Sequence, residues 1–335
     1  MSNVPSVSSY LHFTTTGSPV DVVTLAQREL TPPQHHEVRV AMRYAPINPA
    51  DLNFIEGVYG RVPELPASCG MEGAGEVVAI GPDVESLAVG DLVMPLAAGA
   101  CWAQHVTLGE HAFAKLPARI DLAQACMLRI NPITAARLLD GYVDLNKGDW
   151  FAQNAANSGV GRAVIQLAKA RGLRTLNFVR RPELMDELKA LGADAVFLDN
   201  EEGVAEAKAL THSHAPRLAG NAVGGDSAVR LMDVLAPEGT LVTYGAMGRR
   251  SLKVPNKFLI FKGLSLRGLW VTRWLEKASH GELQEVMKPL AEMMCEGSLR
   301  IAVDEIVPLK NYRDALAKAM QDGRKGKVLL DLQAV

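Results

Sequence analysis

Cysteine is scarce in this 335-residue chain: four residues, Cys69, Cys101, Cys126 and Cys295, with no C-x-x-C pair among them. That scatter excludes a disulfide frame and a zinc ribbon, and it fits a reducing compartment. No apolar run reaches the ~20 residues that a membrane-spanning helix needs. Charge of one sign is also missing. The formal net charge is −2 and the pI is about 6.5, which excludes a nucleic acid or a membrane surface as the main partner. The stretch Met1–Tyr10 lacks a basic n-region and an apolar h-region, so no signal peptide is expected. Cytoplasm is the expected address. Neither internal repeats nor low-complexity segments stand out.

What remains is a chain that is 48% hydrophobic and 21% charged, as a globular protein should be. Its length suits two domains. Up to about residue 120 it reads as short strands with Gly and Pro punctuation. Glu37-Val-Arg-Val-Ala-Met-Arg43 alternates with period two, and Ala74-Gly-Glu-Val-Val-Ala-Ile80 is a second strand closed by Gly81-Pro82-Asp83. Val89–Pro95 is a turn feeding a third. This spacing predicts a barrel-like or sandwich-like β domain. From about residue 122 the pattern becomes strand, helix, strand. Strands are expected over Thr175–Val179, Ala195–Leu198, Arg217–Val223, Gly239–Gly245 and Leu264–Val271. Helices are expected over Leu122–Asp140 with a break at Asn131-Pro132, and over Pro182–Leu191 and Ser227–Leu235. Such alternation implies a doubly wound parallel sheet. Amphipathic helices follow over Glu282–Gly297 and Tyr312–Asp322, and the chain closes on the strand Lys327–Leu332.

One stretch organises the second half. Trp150–Gly161 runs from apolar residues into small residues and glycines, then opens into a segment with Val164, Leu167 and Ala168 at helical spacing. Strand, tight turn, helix is the layout of a dinucleotide-binding unit, with N–H groups at the helix start aimed at phosphates. The match to G-x-G-x-x-G is imperfect, since only Gly159 and Gly161 remain. Asn157, Ser158, Gly159 and Val160 are the expected phosphate contacts, with Gly161 needed for packing. After the next strand, Val179 is followed by Arg180-Arg181, where a carboxylate would serve NAD. Two guanidiniums there suit a 2′-phosphate, so the expected cofactor is NADPH.

Several motifs occur in order: Asn48-Pro-Ala-Asp51, Gly57-Val-Tyr-Gly60, Pro63-Glu-Leu-Pro66, Met71-Glu-Gly-Ala-Gly75, Asn131-Pro-Ile-Thr-Ala135, Gln153–Gly161, Tyr244-Gly-Ala-Met247, Phe261–Trp270 and Gly326-Lys-Val-Leu329. Together they resemble the medium-chain dehydrogenase/reductase superfamily over essentially the whole chain. Within it, the resemblance is to mitochondrial-type 2-enoyl thioester reductases, neighbours of the zinc-free quinone oxidoreductases. It implies a GroES-like distorted barrel over 1–121 and 269–335, a Rossmann domain over 122–268, and an active site in the cleft between them.

The resemblance also sets expectations for single residues. Zinc-dependent relatives carry Gly-His-Glu where this chain has Gly70-Met71-Glu72, and their first ligand cysteine falls near Ile47–Asn48. Their structural lobe would fall near Pro95–Gln104, where only Cys101 remains. With too few donors for a tetrahedral site, no metal is expected. Tyr59 resembles the family's catalytic tyrosine. Asn48 and Asp51 are expected to orient the nicotinamide or its loop. Asn131 and Thr134 align with positions near the nicotinamide ribose. Tyr244, Gly245, Ala246 and Met247 should end one strand at the cofactor, and Leu269, Trp270, Val271 and Thr272 the next. Lys327 resembles a family lysine near the cofactor.

The implied activity is NADPH-dependent reduction of the C=C bond of trans-2-enoyl thioesters, with Tyr59 assisting protonation. The alternatives are an NADPH:quinone or enone oxidoreductase on the same scaffold, or an NADPH-binding protein without turnover. A small-molecule substrate is expected, with acyl carrier protein as a carrier and a homodimer as the assembly.

Overall fold

The computed structural model describes residues 6–96 and 99–334. The first five residues of the Met1–Tyr10 stretch, and Ala97 and Ala98 within Pro95–Gln104, lie outside them. The chain divides into two compact units, Met1–Ile130 with Leu275–Val335, and Asn131–Trp274. The expected divisions at 121/122 and 268/269 thus shift at both ends. The helix Leu122–Ala125 packs on the strands Glu37–Pro46 and Ala74–Ile80, which keeps 122–130 in the first unit. Trp274 stays in the second unit, stacked under the Arg137 guanidinium at 5.0 Å.

The first unit is built on a seven-stranded sheet and a three-stranded one. The long strand Glu37–Pro46 is central. It pairs antiparallel with Ala74–Ile80, His105–Gly109 and Lys327–Asp331. Val38, Val40 and Met42 are fully buried, as period two requires. Arg39 is buried as well, with Nε donating to Thr107 Oγ1 at 3.1 Å, so the strand is covered on both faces. Leu329 faces Pro46 in the register with the C-terminal strand. That pairing carries Lys327 to the neighbourhood of Asn48, although the two are 279 positions apart. The strands Val7–Phe13 and Thr24–Glu29 carried no distinct signal in the sequence; in the smaller sheet they pair with each other, and Val7–Phe13 also pairs with Ala67–Ser68.

The second unit is an all-parallel six-stranded sheet. Its order is Ala195–Leu198, Arg174–Val179, Trp150–Gln153, Leu218–Asn221, Thr240–Thr243, Ser265–Gly268. The alternation expected from 150 onward is present, and the fold is the α/β architecture of a GroES-like barrel unit and a Rossmann unit. Phe151, Ala152, Leu176 and Leu241 are fully buried, so its central strands are apolar on both faces. The helix Gly159–Arg171 covers one face with Ala163, Val164, Ile165, Leu167 and Ala168, and it stops at Gly172 in the left-handed conformation. The expected strand end at Val271 is instead a helix: the strand stops at Gly268 and Val271–Lys277 is helical.

Candidate active site

Local chemistry places Asn48 first. Pro49 fixes the first turn of the helix Pro49–Ile55, and Asp51 Oδ2 accepts from the Asn48 N–H at 2.8 Å. Asp51 Oδ1 also accepts from the Met71 N–H at 2.8 Å. The Asn48 side chain also turns inward. Its Nδ2 donates to Glu72 Oε1 at 2.8 Å, and Lys327 Nζ donates to its Oδ1. Glu72 Oε2 accepts from the Ile130 N–H at 2.9 Å. Arg129 completes the group, donating to the carbonyls of Leu96 at 2.9 Å and Met71 at 2.7 Å.

Asn48, Asp51, Glu72, Arg129 and Lys327 are all buried. Two carboxylates and two cations balance, and the low dielectric explains the shifts. Burial pushes the Asp51 carboxyl up to about 6, against two backbone N–H donors and the charges of Lys327 and Arg129. Burial also raises Glu72 and lowers the Lys327 ammonium, each opposed by the charge of the other. Arg129 is lowered by burial too, and Tyr59 is among the groups whose charge acts on it. Tyr59 itself is half-buried on the loop after the helix, with its N–H on the Asn53 carbonyl at 3.1 Å. The structure thus brings Asn48, Asp51 and Lys327 together. Met71 and Glu72 offer no imidazole, and both Glu72 oxygens already accept hydrogen bonds.

In the second unit, Ser158 caps the helix Gly159–Arg171, its Oγ accepting from the Gly161 N–H at 3.1 Å. Its own N–H is spent on the Ala155 carbonyl at 2.9 Å. The N–H groups of Asn157, Gly159 and Val160 have no acceptor among the described residues. A side chain at Gly161 would meet the Ala156 carbonyl at 2.5 Å, so this glycine is required for the close approach of turn and helix. The Tyr244 hydroxyl is buried beside Ser158 without a well-aligned hydrogen bond, and burial raises its pKa. An orphaned hydroxyl and three unpaired N–H groups around one helix start fit a phosphate group.

The other expected contacts differ in setting. Arg180 is exposed and makes no ion pair or hydrogen bond among the described residues. Arg181 is half-buried and lies 3.6 Å from Glu183. Asn131 and Thr134 are buried in the first turns of the helix Asn131–Asp140. Gly245 and Ala246 follow Tyr244 on the loop after Thr240–Thr243, where Met247 is exposed. Leu269 donates to the Thr243 carbonyl at 3.0 Å and Trp270 is partly exposed, whereas Val271 and Thr272 are buried at a helix start.

Residues 34–118 match the alcohol dehydrogenase GroES-like domain, and residues 159–292 match the zinc-binding dehydrogenase family. The chain is 42% identical to mouse mitochondrial enoyl-[acyl-carrier-protein] reductase, over 94% of this chain and 86% of that protein. It belongs to the medium-chain dehydrogenase/reductase superfamily. Superfamily members of known structure superpose closely. The Etr1p complex with NADP and crotonyl-CoA has a TM-score of 0.90 at 28% identity, covering 97% of this chain and 99% of that one. Etr1p is a mitochondrial 2-enoyl thioester reductase that forms a heterodimer with Etr2p in Candida tropicalis. Escherichia coli quinone oxidoreductase complexed with NADPH gives 0.86 at 25% identity, covering 96% and 99%. The mitochondrial relatives overturn the cytoplasmic expectation. Composition could not have made that distinction, because a scarcity of cysteine pairs marks any reducing compartment.

Sequence reasoning missed three features of this superfamily member. Arg162 is buried at the start of the turn helix, with Nε on the Asn157 carbonyl at 3.1 Å and Nη2 on Glu187 at 2.7 Å. Glu72 was weighed only as a metal neighbour. Asn154 and Asn221, fully buried at two strand ends, were passed over, Asn154 as part of the phosphate turn and Asn221 as a residue of the expected strand Arg217–Val223. Buried polar side chains at the carboxyl end of a parallel sheet are the signal that could have found them.

Proposed function

We propose that this protein is an NADPH-dependent reductase of trans-2-enoyl thioesters. The observation that carries the reading is its similarity to enoyl-[acyl-carrier-protein] reductases along nearly the whole chain, which exceeds its similarity to quinone oxidoreductase. NADPH, when bound, supplies the hydride that adds to the β carbon. In this chain the N–H groups of Asn157, Gly159 and Val160 and the Ser158 hydroxyl hold the pyrophosphate. Arg180 takes the 2′-phosphate, with Arg181 beside it. Asn131, Thr134 and the segments 244–247 and 269–272 serve the rest of the cofactor.

Reduction leaves a proton to be delivered at the α carbon, and Tyr59 is its donor in this reading. Asn48 acts as a positioning residue: its amide nitrogen is committed to Glu72 and its oxygen to Lys327. The Lys327 ammonium then has a fixed orientation and favours developing negative charge. No metal enters, since Met71 brings a thioether where a zinc ligand would be needed.

The carrier of the acyl group is coenzyme A or acyl carrier protein. We also infer a homodimer through the sheet edge. Ser265–Gly268 is the edge strand, and beside it Ile260 and Phe261 are 68% and 85% exposed. An exposed edge strand with apolar neighbours invites pairing. The test of the activity is NADPH oxidation with crotonyl-CoA, a quinone and an aldehyde in parallel, and turnover of the aldehyde alone would overturn the reading.

A further inference from the structure

We propose that the buried array Asn154, Asn221, Ser227 and Asp199 is a positioning device for the cofactor's pyrophosphate, holding a strained turn in its binding conformation before NADPH arrives. The proposal rests on the NADPH reading above. The strain is at Ala155, which has φ 47 in the phosphate turn. A residue with a Cβ is disfavoured there, and such a conformation persists only when its surroundings over-determine it.

The surroundings do so through Asn154, the residue before it. Asn154 Nδ2 donates to Asn221 Oδ1 and to Ser227 Oγ, both at 2.8 Å. Its Oδ1 accepts from the Ala222 N–H at 2.7 Å. Both donors and the acceptor of the amide are therefore occupied, which fixes its plane. Asn221 extends the chain by donating to Thr243 Oγ1 at 3.1 Å, while its Oδ1 also receives the N–H groups of Val223 and Gly224. Ser227 donates to Asp199 Oδ2 at 2.5 Å, and Arg230 Nε neutralises the other Asp199 oxygen at 2.5 Å. Asn154 and Asn221 are fully buried and Ser227 nearly so.

One hydrogen-bonded chain thus ties the carboxyl ends of three adjacent strands, Trp150–Gln153, Leu218–Asn221 and Thr240–Thr243. It reaches Asp199, just beyond the edge strand Ala195–Leu198. Ala155 is also pulled from the other side, its carbonyl accepting from the Ser158 N–H. With the amide fixed before Ala155 and the helix cap fixed after it, the turn cannot relax to an ordinary φ. The unpaired N–H groups of Asn157, Gly159 and Val160 are preset for an anion in consequence. A merely structural array would stabilise the sheet without bearing on the turn.

The experiment separates the two roles by rescue. In Asn154→Ala the strain is no longer opposed, and NADPH should bind about tenfold more weakly. Adenosine 2′-monophosphate, which lacks the pyrophosphate, should bind as in the parent protein. Adding Ala155→Gly to the same chain lets the turn adopt a left-handed φ without a Cβ and should restore most of the NADPH affinity. Equal loss for both ligands, or no recovery with the glycine, overturns the proposal. Should Asn154→Ala fail to fold, Ser227→Ala carries the same expectation with a loss of about threefold, one of the three Asn154 side-chain hydrogen bonds being removed. Amide hydrogen exchange of Gly161 and Arg162, whose N–H groups bond to Ser158, is independent of the cofactor reading when measured in the unliganded protein. Faster exchange there in the variant, with the middle of the helix unchanged, supports the proposal even if the parent protein binds no NADPH; unchanged exchange overturns it.

Discussion

The Asn48 amide donates to the Glu72 carboxylate at 2.8 Å, far inside the first unit and away from solvent. Asn48 also receives the Lys327 ammonium, so one neutral side chain is the bridge between two buried opposite charges. Removing one charge leaves the other uncompensated, which costs about 3–5 kcal/mol in a buried pair. Lys327→Met should destabilise the protein by that order, and Lys327→Met with Glu72→Gln should recover part of the loss. Denaturant unfolding of the parent, Lys327→Met, Glu72→Gln and the double variant checks this. A double variant as unstable as the sum of the singles would show that the two charges are not coupled.

In the proposed reading, cofactor choice depends on Arg180, which is exposed and has no partner among the described residues. Arg180→Ala should weaken NADPH by about tenfold to a hundredfold, the worth of a charge-assisted hydrogen bond to phosphate. NADH affinity should not change. Fluorescence titration of the two cofactors measures both, and equal dissociation constants in the parent protein would remove the argument for the arginine pair.

Acid stability has a contributor far from the site. Burial lowers the His105 pKa, and the charges of Arg39 and Arg28 lower it further. Its Nδ1 is buried with no hydrogen-bond partner. Folded His105 therefore stays neutral while the unfolded imidazole takes up a proton near its ordinary pKa of about 6.5. The sign follows: stability is present above that pH and is lost as pH falls below it. His105→Gln should show a smaller drop in melting temperature between pH 7.5 and 5.5 than the parent. An identical drop in both would place the acid sensitivity elsewhere.

The fold was legible where period and punctuation agreed. The strand Glu37–Pro46 and the strand–turn–helix from Trp150 could be read from alternation, helical spacing and glycine. The first strands, Val7–Phe13 and Thr24–Glu29, could not, because one buries the polar Ser8 and the other is a largely exposed edge strand, so neither shows a clean alternation. The site was legible in its motif residues and not in its connections. Nothing local in Gly326-Lys327 or Met71-Glu72 says that they meet at Asn48; strand register does that. Likewise Val271 and Thr272 lie in a helix because the edge strand ends at Gly268, a boundary that apolar composition alone overruns.

Assembly can be tested at one side chain. Phe261 is 85% exposed next to the edge strand Ser265–Gly268. Phe261→Glu should turn a dimer into a monomer in light scattering after size exclusion, without changing the far-ultraviolet spectrum. A parent protein that elutes as a monomer at tens of micromolar would end the dimer proposal.

The most direct test of the account is the effect of Tyr59→Phe on two acceptors measured side by side with NADPH. Loss of a general acid should cut crotonyl-CoA reduction by about a hundredfold to ten-thousandfold. Quinone reduction, which takes its proton from water, should stay near the parent rate. Equal rates with crotonyl-CoA for variant and parent, or no turnover of crotonyl-CoA by the parent, would contradict the assignment of this protein as an enoyl thioester reductase that protonates through Tyr59.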